Sequence, residues 1–302
     1  MRRDVTFASQ GVDCAGWLWV PDDLVEGAQA PAIVMANAFS ATKEIYLSNH
    51  AERFVAAGFL VLAFDYRTFG DSAGEPRSQI FPHDQVDDLR NAISWLGTQP
   101  EVDPTRIGAW GVSLGGGHVM FLSAFDKRIK AVVAMIPAIN QWENFLVAMP
   151  KDAFFGFLGM LTADRQARYT NGQVNYMQLV APPGEMGMMP NEAYEFYTEA
   201  QRTVAPNWEN RVTMESLEKF AEYDPTGPIH LVSPTPLLMI VAEQDQIIPA
   251  ALASAAYERA GEPKELLMLA CQHTDVYNVE PWLSQSADAA ATWFTTHLKE
   301  TA

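Results

Sequence analysis

A chain of 302 residues, 48% hydrophobic and 19% charged, is long enough to bury a large core and belongs to the globular class rather than the disordered or fibrous ones. Its 37 acidic against 20 basic residues leave a formal charge of −17, which repels nucleic acid and anionic lipid; the excess reads first as a solubility feature, and a small neutral or apolar partner is easier to accept. No opening apolar run is long enough for a signal peptide or membrane span, which predicts a cytoplasmic protein, and Cys14 and Cys271 lie far apart without zinc or redox spacing, so both are expected reduced and partly buried.

Two alternating stretches, 5–9 and 15–20, predict an antiparallel entry hairpin that Pro21 ends. From Pro31 the pattern becomes strand then helix. A buried run at 32–36 is followed by Leu47, Ala51, Phe54 and Val55 at helical spacing, by Gly58, and by a second apolar run at 59–64. Val86, Leu89, Ile93 and Leu96 mark the next helix, and 106–112 a strand running into a glycine-rich turn and an apolar helix, with a further strand at 132–136. Near the C-terminus a strand at 236–241, a helix at 250–260, a strand at 265–270 and a helix at 283–298 restore the rhythm. Strands alternating with helices predict an α/β fold with a mostly parallel central sheet covered on both faces.

The interval 137–234 breaks that rhythm, with helical stretches, a Pro-Pro-Gly turn at 182–184 and no convincing strand. It is expected to be a helical cap inserted into a catalytic core made of 1–136 and 235–302. Seven of the 13 methionines fall in it, among several Phe and Trp. Most are expected to form the cap's own core; Met149, Phe154 and Met188 are candidates to line a pocket.

Gly111-Val112-Ser113-Leu114-Gly115 is a G-x-S-x-G segment between a strand and a helix. The glycines permit a sharp elbow that holds the serine hydroxyl clear of the sheet, at the positive end of the helix, where the Leu114 N–H can meet a developing oxyanion. Serine is a weak nucleophile and needs a base nearby. Among six histidines only His273 follows the last strand in a loop able to reach the elbow. His118, five residues past Ser113, reads as a packed or hydrogen-bonding helix residue, and His50, His83, His230 and His297 as helix-surface or loop residues. Asp245, just past a buried strand, is the best-placed acid, with Glu243 and then Glu143 as competitors.

These residues resemble the α/β-hydrolase superfamily over nearly the whole chain. Similar families include dienelactone-hydrolase-like and acylpeptidase-like esterases, and hydrolase-fold proteins that transfer polyketide acyl groups. Asp65-Tyr66-Arg67-Thr68-Phe69-Gly70-Asp71-Ser72 resembles their D-x-R-x-x-G-x-S turn, whose expected job is to shape a loop beside the site, with Arg67 free to pair with a carboxylate. The order Ser113, Asp245, His273 is the order of that fold. The resemblance implies that the Phe39 N–H is the second oxyanion donor. Many relatives have His-Gly before that position; this chain has Asn37-Ala38, so alanine replaces a glycine and changes what the loop's dihedrals can be. Asn37 either orients the loop or touches substrate.

The expected reaction is cleavage of an ester, thioester or lactone of a medium-sized apolar substrate through an acyl-enzyme on Ser113, without metal or organic cofactor. Acyl transfer and carbon–carbon bond hydrolysis use the same residues. A non-catalytic small-ligand binder is the rival from another class, which the intact Ser113, Asp245 and His273 set disfavours. A homodimer is left open.

Overall fold

The computed structural model describes residues 1–299, with the side chain of Asn191 outside the description. β1 (Arg2–Ser9) and β2 (Val12–Trp19) form the entry hairpin, closed by Gln10 and Gly11, both at positive φ (51° and 85°) as a two-residue hairpin turn requires. β3 (Ala30–Ala36), α1 (Leu47–Ala56), β4 (Leu60–Phe64), α2 (Pro82–Leu96), β5 (Val102–Val112), α3 (Leu114–Phe125) and β6 (Ile129–Met135) then alternate. Every residue of β3 and β4 is buried, the signature of strands covered on both faces.

After β6 come α4 (Gln141–Ala148), α5 (Lys151–Asn171), β7 (Tyr176–Met177), α6 (Asn191–Thr203), β8 (Val212–Thr213) and α7 (Met214–Ala221). β9 (Leu237–Ala242), α8 (Ala250–Arg259), β10 (Lys264–Leu269), α9 (Asp275–Asn278) and α10 (Trp282–Phe294) complete the chain. One expectation fails here. The stretch between β6 and β9 does contain strand, a two-residue antiparallel pair of β7 with β8, too short to leave an alternating pattern.

The main sheet has eight strands in the order β1-β2-β4-β3-β5-β6-β9-β10. β1, β2 and β4 run antiparallel to their neighbours along the hairpin edge, and every pair from β4 to β10 is parallel. From β3 the chain steps to one side to reach β4, then to the other side for β5, β6 and β10. Right-handed crossovers therefore place α1 on one face and α2, α3 and α8 on the other. α10 returns to the face of α1, where Arg53 donates to Asp288 at 2.9 Å.

β6 pairs directly and in parallel with β9, so everything from α4 to α7 is an excursion that leaves the carboxyl end of β6 before the chain returns to the amino end of β9. The carboxyl ends of the strands, beside the point where the strand order reverses at β3, are where an open parallel sheet offers a crevice. No helix of the described residues is long and apolar enough to cross a membrane.

His50 departs from its expected place. It is 1% exposed, facing Trp110 and lying 3.3 Å from Ser286 Oγ, because it shares the buried stripe of Leu47, Ala51 and Phe54 on α1. Burial lowers its pKa to about 3, so it is neutral. His118 is buried as expected, its ring nitrogens 2.9 Å from Tyr223 Oη and 3.0 Å from Gln85 Oε1.

Candidate active site

Ser113 joins β5 to α3 with φ 54° and ψ −118°, a backbone conformation that a non-glycine residue holds only when its surroundings enforce it. The enforcement is visible. Ser113 N–H donates to Met135 O at 2.9 Å, while Ser113 O accepts from Ala138 N at 2.7 Å and Gly117 N at 3.2 Å. Gly111 and Gly115 face each other across the elbow so closely that a Cβ on Gly111 would overlap the Gly115 carbonyl. The G-x-S-x-G spacing is thus a packing requirement of the turn.

Asp245 lies in the loop after β9 and His273 in the loop after β10; Gln244 N–H donates to Cys271 O at 3.0 Å, tying the two loops together. Asp245 Oδ1 accepts from Ile247 N at 2.8 Å and Ile248 N at 2.7 Å, which fixes the carboxylate and leaves Oδ2 free to lie 2.7 Å from His273 Nδ1. A carboxylate only accepts, so Nδ1 carries the proton and Nε2 presents its lone pair. Nε2 stands 3.1 Å from Ser113 Oγ. The competitors are elsewhere: Glu243 and Glu143 are both exposed.

Beside Ser113 opens a cavity of about 330 Å³ lined by Phe39, Leu114, Phe145, Met149, Met188 and Phe220 among others, all of its lining side chains neutral. Leu114 is the first residue of α3, so its N–H has no intrahelical partner. The structure brings Met149 and Met188 to the wall as expected, together with Met189, Gln141 and Asn144. Asn37 and Phe154 are not there. Asn37 is fully buried and donates through Nδ2 to Phe64 O at 3.0 Å, bridging β3 and β4 rather than meeting a ligand. Phe154 lies behind the wall, stacked on Phe145 at 6.0 Å between ring centres. Of the remaining cap methionines, Met214 is buried, whereas Met160 and Met186 are exposed and serve neither core nor pocket.

The alanine at 38 proves harmless to the loop. Positive φ falls on Ser40, at 60°, and not on Ala38. Three contacts escaped sequence reasoning, since nothing local marks them. Tyr197 Oη donates to Phe39 O at 2.7 Å, Trp208 Nε1 donates to Ser40 O at 3.0 Å, and Glu192 Oε1 accepts from Thr274 N at 3.1 Å. All three reach from the excursion between β6 and β9 onto loops of the site.

The D-x-R-x-x-G-x-S turn is structural, as expected. Arg67 donates to Asp88 through Nε at 2.9 Å and Nη2 at 2.6 Å. Asp65 accepts from Lys43 Nζ at 2.8 Å, and burial raises its pKa to about 6 against the pull of that ammonium. Glu44, Asp65 and Asp71 converge as a metal site would, but the Lys43 ammonium lies 2.6–2.8 Å from all three and already occupies the place of a cation among them.

Residues 10–275 match the profile of the X-Pro dipeptidyl-peptidase (S15) family. The chain belongs to that family. The S15 chain is 32% identical over 246 residues to thiohydrolase aneE of Aspergillus aculeatus, covering 79% of this chain and 77% of the relative. It is 32% identical over 247 residues to the quorum-quenching protein AidA of Acinetobacter baumannii, covering 82% and 79%. Polyketide transferase grgF of Penicillium is 30% identical over 272 residues, covering 89% and 87%. The crystal structure of α/β hydrolase GrgF from Penicillium superposes with a TM-score of 0.85 at 26% identity, over 99% of both chains. This S15 chain is an α/β hydrolase, with the mostly parallel sheet, and its relatives place it among the serine hydrolases.

Proposed function

We propose that this chain hydrolyses a thioester or ester of a neutral, largely apolar acyl group through an acyl-enzyme on Ser113. The observation that carries the reading is the continuous chain Asp245 Oδ2, His273 Nδ1 and Nε2, Ser113 Oγ at 2.7 and 3.1 Å, ending in an uncharged pocket. His273 takes the Ser113 proton as Oγ attacks the carbonyl, Asp245 stabilises the imidazolium, and the Leu114 and Phe39 N–H groups meet the oxyanion. His273 then returns the proton to the leaving thiol or alcohol, and water activated by His273 releases the acid. The neutral pocket wall suits an acyl chain rather than a peptide amine, and its volume is at the small end of the range of about 300–1,000 Å³ for small-molecule sites. Relatives named thiohydrolase and polyketide transferase point to thioesters first.

Acyl transfer is the second reading, favoured by the polyketide transferase among the relatives. The same acyl-enzyme then yields to an alcohol in place of water.

Intact-mass spectrometry after incubation with a fluorophosphonate tests the core of this reading. A single adduct is expected on the native chain and none on Ser113→Ala, with slowed uptake in His273→Ala; an adduct that persists in Ser113→Ala would refute it. Turnover of a series of acyl thioesters, esters and lactones, with and without added alcohol, then separates hydrolysis from transfer by the products formed.

A further inference from the structure

The loop that carries Phe39 is poorly satisfied from within. Asn37 Oδ1, Ser40 Oγ and Thr42 Oγ1 are buried there with no hydrogen-bond partner among the described residues. A local bond, Ala41 N–H to Ala38 O at 3.2 Å, closes residues 38–41 into a β-turn with Phe39 and Ser40 at its corners. Ser40 has φ 60°, the left-handed value that a type II turn demands at its third residue, where glycine is usual. A non-glycine residue stays in that region only where its surroundings hold it there.

The turn is held by two donors from outside the loop. Tyr197, on α6, donates to the Phe39 carbonyl, on the residue whose N–H is the expected oxyanion donor, at 2.7 Å. Trp208 Nε1 donates to the next carbonyl, Ser40 O, at 3.0 Å, and the two rings stack at 4.9 Å. Both side chains are buried, and burial raises the Tyr197 phenol above its ordinary range, so it remains a donor.

We propose that Tyr197 is a positioning residue for catalysis: by tying the Phe39 carbonyl to α6, next to the Trp208 bond on Ser40 O, it fixes residue 39 and with it the Phe39 N–H beside Ser113. The proposal rests on Phe39 as oxyanion donor. Its consequence is that a helix of the excursion between β6 and β9 completes a site whose nucleophile, base and acid all belong to the sheet. The oxyanion hole is then built only while α6 is docked.

Tyr197→Phe removes the donor and leaves the ring on Trp208. Competent sites are counted by fluorophosphonate uptake, so that kcat refers to reactive serines alone. The expected result is a kcat lowered about 10- to 100-fold at unchanged KM. The Ki of an aryl trifluoromethyl ketone, whose hemiketal oxygen occupies the hole, rises by the same factor. Wild-type kcat and Ki per titrated site would overturn the proposal, as would a raised KM at constant kcat. Should Tyr197→Phe not fold, Trp208→Phe removes the neighbouring donor; a parallel loss of kcat and ketone affinity supports the proposal, and wild-type values per site overturn it. Native protein that takes up no fluorophosphonate overturns the Ser113 reading itself, a result distinct from a labelled but unimpaired variant.

Discussion

Gly115 packs directly on the carbonyl of Ala36, where β3 ends, so that even one methyl group at 115 would overlap that oxygen and crowd Asn37 O as well. The opposing atoms are backbone, which cannot swing aside as a side chain would. Gly115→Ala is therefore expected to destabilise the protein by more than about 3 kcal/mol, at the severe end for single substitutions. Urea unfolding followed by far-UV circular dichroism measures it, and a midpoint within error of wild type would show that the elbow tolerates what its geometry forbids.

In the proposed reaction Asp245 is the acid because it contacts His273 Nδ1, and its substitution separates it from its neighbour. Asp245→Asn keeps the side-chain shape but offers an N–H or a weaker acceptor to His273 Nδ1, which favours the wrong tautomer and leaves no lone pair facing Ser113 Oγ. A fall of about 10³- to 10⁴-fold in kcat is expected. Glu243→Gln, at an exposed position, should retain wild-type kcat. Steady-state assays on a thioester decide it: equal losses in both variants would remove Asp245 from the relay.

Much of this was legible in the sequence, for physical reasons that also explain the failures. The alternating strand and helix pattern is written by burial on both sheet faces, so β3, β4, β5, β6 and β9 fall where the apolar runs are, while β10, at the sheet edge with only Leu269 buried, shows through its own run of Leu and Met. Ser113, Asp245 and His273 are legible because each follows a strand, and strand ends converge. Asn37 and Phe154 were misplaced because sequence position near a site does not reveal which way a side chain points. His50 was misread although its signal was present, on the same helical stripe as Leu47, Ala51 and Phe54. The bonds from Tyr197, Trp208 and Glu192 join segments far apart in the chain, and no local periodicity encodes them.

Arg67 and Asp88 form a pair in which the carboxylate side chain is fully buried and the guanidinium 13% exposed. Asp88 also accepts from Ser9 Oγ at 2.5 Å, so the pair pins β1 to α2 beside the hairpin. Truncating one partner leaves the other charge uncompensated, which costs about 3–5 kcal/mol. Arg67→Met should lower stability by that amount, and Arg67→Met with Asp88→Leu should recover most of it. Chemical denaturation of both variants provides the comparison; a double variant no more stable than the single one would show that hydrogen bonding to Ser9, not charge compensation, dominates.

Stability should fall on the acid side because of buried neutral histidines. His118 has its pKa lowered by burial from 6.5 to about 3, as does His50. The unfolded chain binds these protons first, so the stabilisation is whole above about pH 7 and is lost as pH falls through 6.5 toward 3. Asp65 acts in the opposite sense: its raised pKa lets the folded state keep a proton between about 6 and 3.8, which adds stability as pH falls. Comparison with a variant isolates one group. Between pH 7.5 and 5 the native chain should lose about 2 kcal/mol more than His118→Gln. Parallel curves for the two proteins would mean that His118 titrates alike in both states.

The pocket wall makes a prediction that distinguishes lining from support. Phe145 borders the cavity and packs on Phe154, Phe157 and Phe220, whereas Phe154 touches the cavity only through Phe145. Phe145→Ala should enlarge the acyl site and shift the preferred chain toward longer acyl groups, raising kcat/KM for them while lowering it for acetyl. Met149→Trp fills the same space and should shift the preference toward shorter chains. Phe154→Ala should cost about 3–5 kcal/mol of stability with the chain-length profile unchanged, because the cavity it leaves lies behind the wall. Measuring kcat/KM across a graded series of acyl thioesters tests all three variants. If Phe145→Ala and Met149→Trp change every substrate by one common factor, the acyl group does not enter this pocket, and it must bind on the open side of Ser113 instead.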